Sequence, residues 1–235
     1  MVIQTPICRI GVFYDGTHFS IAQRYFRYDL SVGCLSFNPF HTLLQRFVSS
    51  KERGFSTYKV VCASWHQGIS DAYSISQELL SSDRSNHINL VDAGIEPKYL
   101  RTSHTQSENG KGQVAKEKGV DVALAVDALQ TAVEGKIDVA VLVTGDGDFL
   151  PLVRALNKQG IRVVNAYFHF TDKTGKESFN SQRLANCSDY VLDVCALQRG
   201  DVDSKTDFSS LFEPANGATR NHTASLLAGA GSPEP

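Results

Sequence analysis

Val139-Ala140-Val141-Leu142-Val143-Thr144-Gly145-Asp146-Gly147-Asp148-Phe149 is the stretch that decides the fold. An unbroken apolar run rich in Val is the mark of a strand covered on both faces, as in parallel sheets. The strand is expected over residues 137–144. The glycines after it let the chain turn sharply and bring backbone close to a ligand. In open α/β sheets, ligands bind outside the carboxyl ends of the strands. Asp146 and Asp148 therefore fall on the functional edge.

Working outward, the flanking segments alternate in type. Residues 119–134 form an expected helix, apolar around most of its circumference and so expected to be buried. Residues 149–159 make a helix that ends at Gly160, a normal C-cap position. Residues 161–168 form a strand, 181–186 a short helix and 190–194 a final strand. Toward the N-terminus, residues 8–14 read as a strand ending in Asp15-Gly16. A helix over 17–28, another opened by Asn38-Pro39, a strand over 56–63, a helix over 70–82 and a short strand over 88–91 follow. Residues 96–118, with Gly110-Lys111-Gly112 inside, read as a polar loop. Strands alternating with helices imply right-handed crossovers. The expectation is an α/β fold with a mainly parallel central sheet flanked by helices. One domain is expected over residues 7–195. Residues 200–235 turn to Gly, Ala, Ser, Pro and charge, and read as a disordered tail dispensable for folding.

Composition narrows the function classes. The chain has 235 residues, 42% of them hydrophobic, enough for a substantial core. No run of about 18 apolar residues occurs, so no membrane partner is expected. The first residues lack a basic segment followed by a long apolar one, which argues against a secretory leader. Five widely spaced cysteines with no C-x-x-C pair, and histidines without H-x-x-x-H spacing, argue against zinc. A reducing, cytoplasmic setting fits them. The net charge is −2. Any nucleic-acid binding must then come from a local patch or a metal.

The carboxylates form a constellation. Asp15 ends the first strand, Asp146 and Asp148 follow the fourth, and Asp121 lies in the first turn of the helix that precedes it. Carboxylates brought to about 4 Å repel by on the order of 4 kcal/mol at an effective dielectric near 20. A cation or a shared proton relieves that repulsion. Mg²⁺ prefers oxygen ligands and keeps several waters, which suits a small aspartate cluster. It can then activate a water and stabilise the developing charge of a phosphodiester.

Three segments carry a resemblance to a known family: Val12-Phe13-Tyr14-Asp15-Gly16, the run from Lys118 to Asp127 (KGVDVALAVD), and the run from Val143 to Val153 (VTGDGDFLPLV). In this order they resemble the NYN domain family of PIN-like nucleases, in particular its LabA-like group. The resemblance spans roughly residues 7–195. It implies a Rossmann-like PIN/NYN sheet, RNA cleavage, and acidic metal ligands. Carried over residue by residue, the catalytic and metal-binding positions are Asp15, Asp121, Asp146 and Asp148, holding Mg²⁺ or Mn²⁺. The expected partner is RNA, taken as single-stranded; a homodimer is left open. His18 departs from the family, which commonly has Asn three residues after the first Asp. It could take over the Asn's role toward a phosphate or weaken it.

Other residues are weighed against plainer roles. Asp127, about 240° around the helix from Asp121, is expected in a structural hydrogen bond or salt bridge. Lys111, Lys116 and Lys118 border the proposed site, with Lys118 the best phosphate contact, and Arg154 and Lys158 on the next helix could extend the patch. Arg24-Tyr25-Phe26-Arg27-Tyr28 interleaves aromatics with cations and could stack bases, although such a run is more often an amphipathic helix end. One alternative is a regulatory RNA-binding or protein-interaction module with weak or lost catalysis. Another is a phosphatase of the haloacid dehalogenase type, whose acidic motif Gly145–Asp148 resembles. That family needs D-x-D after the first strand, where this chain has Asp15-Gly16-Thr17.

Overall fold

The computed structural model describes residues 6–69, 77–101, 103–106, 113–116, 119–178, 180–199 and 207–213. In chain order, the first half contains β1 (Ile7–Asp15), α1 (Gly16–Arg24), β2 (Cys34–Leu35), α2 (Phe37–Lys51), β3 (Thr57–Ile69), α3 (Gln77–Asp92) and β4 (Glu96–Arg101). The hairpin β5 (Ser103–Gln106) and β6 (Gln113–Lys116) comes next, then α4 (Val120–Val133) and β7 (Val139–Val143). The remainder is α5 (Leu150–Lys158), β8 (Arg162–Tyr167), α6 (Gln182–Cys187), β9 (Tyr190–Asp193), α7 (Ala196–Arg199) and β10 (Phe212–Glu213).

Six of the strands form one parallel sheet in the order β4-β3-β1-β7-β8-β9. The chain winds outward from β1 to β3 and β4, then crosses back to β7 and winds the other way. The direction reverses between β1 and β7. The crevice outside the carboxyl ends of those two strands is where such sheets bind ligands.

The alternation of β1 explains the two layers. Cys8, Ile10, Val12 and Tyr14 face a core built with Phe19 of α1 and Phe40, Leu44 and Val48 of α2. Phe13 faces the other way, onto Leu124 and Ala128 of α4 and Leu152 and Leu156 of α5. Burying each large apolar side chain stabilises the fold by about 1.5–3 kcal/mol. Tyr14 also needs a polar partner, and its hydroxyl meets His41 Nε2 at 2.8 Å.

Four local expectations are corrected. The residues expected as a strand over 88–91 lie inside α3, and the third sheet strand is β4. The expected loop over 96–118 contains β4 and the β5–β6 hairpin. Helix α4 is not buried all round: Leu124 and Ala128 face the core, but Val122 and Val126 are 65% and 57% exposed. The expected tail is the fourth case. Its residues Asp207–Glu213 dock on the body, while 200–206 and 214–235 lie outside the described residues. Asp207 caps a 3-10 turn over Phe208–Leu211, and β10 pairs with β2. Ser36 N donates to Leu211 O at 2.8 Å, and the Leu211 side chain is fully buried. Phe212 meets Phe26 with ring centroids 5.0 Å apart. Among the described residues, no helix is long and apolar enough to cross a membrane.

Candidate functional site

Adjacent parallel strands bring the first two acidic positions together. Asp15 ends β1 and caps α1: its Oδ1 accepts from Thr17 N and His18 N, each at 3.1 Å. Its Oδ2 accepts from Thr144 Oγ1 at 3.0 Å. The same Thr144 hydroxyl oxygen accepts from Asp146 N at 3.1 Å. One fully buried threonine therefore ties the end of β1 to the loop after β7. Asp146 in turn caps the 3-10 turn Gly147–Phe149, accepting from Asp148 N at 2.9 Å.

Burial pushes the Asp15 carboxyl above its ordinary value, and the charge of Asp146 adds to the rise. Hydrogen bonds from His18 N, Thr144 and Thr17 N oppose it. His18 also feels Asp146, but burial dominates and lowers its imidazole to about 4. It is neutral near pH 7, with its ring against Phe168 at 5.6 Å. His18 thus stands beside the acid pair as a neutral group, not as a cation for phosphate.

The other expected residues are placed as follows. Asp121 is exposed in the first turn of α4, and Asp148 is exposed in the turn after β7. Among the described residues, no three His, Cys, Asp or Glu side chains stand close enough for a ready ligand set. Lys111 and Lys118 lie outside the described residues. Lys116 belongs to β6. Arg154 and Lys158 are exposed on α5. At 1.5 Å per residue, α5 carries Lys158 about 15 Å from Asp148, away from the crevice. Asp127 has its structural role: its carboxylate accepts from Ser64 Oγ at 2.7 Å and pairs with Lys98 Nζ at 2.5 Å. Burial alone would raise that carboxyl, but hydrogen bonds from His66, Lys98 and Ser64 hold it well below the usual range.

Several residues at this edge were not singled out from the sequence. Thr144 is one. Asn165 is another, fully buried on β8 and donating from Nδ2 to Thr144 O at 2.8 Å. It is the single polar side chain in the apolar run Val163-Val164-Asn165-Ala166, and that break was the available signal. Ser181 N donates to Gly145 O, and a Cβ on Gly147 would lie 2.6 Å from Ser181 Oγ. Any side chain at Gly147 would have to displace Ser181, which caps α6.

The donor set can be tested for a metal. Among the described residues, the buried side-chain atoms without a hydrogen-bond partner include His18 Nε2, His66 Nδ1, Asn165 Oδ1 and Asn180 Oδ1, while His66 Nε2 lies 3.3 Å from Asp127 Oδ2. His66 pairs in register with Asp15, Asn165 holds Thr144, and Asn180 precedes Ser181. Buried polar atoms are normally satisfied, so His18 Nε2 and Asn165 Oδ1, on the residues next to Asp15 and Thr144, are atoms that a ligand at this edge could meet. Mg²⁺ is commonly held by one or two carboxylates, with substrate phosphate and water completing its shell. Asp15 and Asp146 fit that arrangement.

A sequence stretch of 75 residues, 32% of this chain, is 36% identical to the uncharacterized protein MJ0482 of Methanocaldococcus jannaschii. The match covers 28% of that protein's length. A solved structure of a protein of unknown function, VPA0982 from Vibrio parahaemolyticus, is similar at 20% identity and a TM-score of 0.49. It covers 82% of this chain and 95% of that one. The NYN domain profile matches residues 9–198. With the six-stranded parallel sheet and that match over most of its length, the chain belongs to the NYN domain family, within the PIN-like nuclease superfamily.

Proposed function

We propose that this chain is a metal-dependent ribonuclease that hydrolyses phosphodiester bonds of single-stranded RNA at the crevice between β1 and β7. The observation that carries the reading is the Asp15–Thr144–Asp146 bridge at the point where the sheet reverses direction. A divalent cation, Mg²⁺ or Mn²⁺, would supply charge neutralisation for the phosphate and activation of water. The residues of the chain do the rest. Asp15 and Asp146 would hold the cation, and the Thr144 hydroxyl, donating to Asp15 Oδ2, orients that carboxylate. Asp121 and Asp148, both exposed, would complete the acidic set when substrate is bound. His18, neutral and adjacent, offers a hydrogen bond to a phosphate oxygen without adding charge.

A second reading, a regulatory RNA-binding or protein-interaction module with catalysis lost, draws on His18, which stands where the family commonly has Asn. Labelled single-stranded RNA incubated with the protein, with Mg²⁺ or Mn²⁺ and then with a chelator, separates the two. Cutting that stops on chelation is the expected result. RNA bound and never cut supports the module instead.

A further inference from the structure

Beside the crevice runs a groove of about 310 Å³ between α1 and the segment that follows β8. Ile21, Arg24, Tyr25 and Tyr28 form one wall, with Phe170 and Lys176 on the other. Tyr25 stacks on Phe170, with centroids 4.0 Å apart and planes at 11°. The chain leaves α1 through a π-helical turn over Tyr25–Asp29, closed by Ser31 at φ 55, a left-handed conformation unusual for a non-glycine residue. Single π turns inside helices are frequent at functional sites. This one leaves Tyr28 60% exposed on the rim, with the Arg27 guanidinium 5.3 Å from its ring centroid.

The charges of the groove are sorted by their bonds. Asp172 Oδ1 is bound by Thr174 and by Lys176 N. Glu177 Oε1 lies 2.7 Å from His169 Nε2, and Asp29 Oδ2 accepts from Lys173 N. The cationic heads of Arg24 and Lys176 make no hydrogen bond within the described residues, although the Lys176 charge also helps to lower the neighbouring Asp172 carboxyl. The lining thus combines aromatic faces with two cationic heads turned to solvent. An apolar peptide would use the rings and leave those heads unused. A nucleotide uses both, since bases stack on aromatic rings and phosphates take Arg and Lys.

We infer that this groove is a strand-binding subsite. It seats a base of single-stranded RNA against Tyr28 and the Tyr25–Phe170 stack, with Arg24 and Lys176 on the adjoining phosphate. The inference rests on the nuclease reading of the neighbouring acid pair and extends it to substrate length. Arg24 lies about 14 Å along α1 from Asp15. A stacked strand advances about 3.4 Å per nucleotide, so a dinucleotide at the acid pair falls short of Arg24 while a ten-nucleotide strand passes it.

The test measures binding of a fluorescein-labelled ten-nucleotide single-stranded RNA, without divalent metal, to the wild type, Arg24→Ala and Tyr28→Ala. Both side chains are exposed, so the variants keep the fold, and matching thermal melts check this. The expected result is a Kd weakened about tenfold in each variant, with dinucleotide cleavage unchanged. Variants that bind within twofold of the wild type overturn the subsite, even where the wild type cuts RNA. A wild type that does not bind the strand overturns it as well. Weakened binding in a protein that cuts no RNA sustains the subsite and rejects the nuclease reading alone.

Discussion

Replacing Asp15 separates its two roles. As an N-cap it accepts from two backbone N–H groups at 3.1 Å, and as a charge it faces Asp146 in a buried setting that disfavours ionisation. Asp15→Asn keeps an oxygen for the cap and removes the charge, whereas Asp15→Ala removes both. Loss of an N-cap costs about 1 kcal/mol, and in a chain of this size that lowers Tm by about 2–4 °C. Without metal, Asp15→Asn should therefore melt at or above the wild type, and Asp15→Ala about 2–4 °C below Asp15→Asn. Mn²⁺ at a hundred times its Kd should add about 2.7 kcal/mol to the wild type, and much less to either variant. Scanning calorimetry with and without Mn²⁺ reads all three proteins. If Asp15→Asn keeps the full Mn²⁺-dependent rise, the acid pair is not the ion site. If Asn and Ala melt together, the cap contributes nothing.

Two further outcomes concern the fold. Leu211→Ala should lower stability by about 2–4 kcal/mol in urea melts, because a fully buried leucine is truncated; truncation after residue 199 should cost at least as much, and an unchanged midpoint would show that β10 does not dock. Stability should also fall as pH drops from about 6.5 to about 4, because burial holds His18 and His41 at about 4 when folded while both titrate near 6.5 unfolded. Across that window the unfolded chain binds more protons, so each imidazole costs on the order of 2 kcal/mol by about pH 5. Asp15, with its raised carboxyl, acts in the opposite direction just above 3.8. His41→Gln should flatten the slope, and a full slope in that variant would rule His41 out.

What the sequence made legible follows from local physics. β7 is a contiguous apolar run, the pattern of a parallel strand covered on both faces, and Asp15 and Asp146 stand at or just past the ends of β1 and β7. β4 was hidden because Glu96-Pro97-Lys98-Tyr99-Leu100-Arg101 is polar and contains proline. It sits at the sheet's edge, where both are tolerated. Residues 88–91 misled because a short apolar run suits a strand or a buried helix turn equally. Here Leu90 is buried within α3 while Ile88 and Val91 are half exposed. The docking of Leu211 depends on a partner strand far away in the chain, which no local pattern encodes. Thr144 and Asn165 were missed for a similar reason. Their role is a bridge between strands, visible only when β1, β7 and β8 lie side by side.

Single-turnover cleavage of labelled single-stranded RNA in Mn²⁺, wild type against Asp146→Asn, tests the acid pair most directly. Asn can still accept the Asp148 N–H, so the loop keeps its turn while the charge is gone. The expected result is loss of about a hundredfold or more in rate, with RNA binding and thermal stability retained. Equal rates in the two proteins would contradict the account, since the residue placed at the centre of the crevice would then have no part in the chemistry.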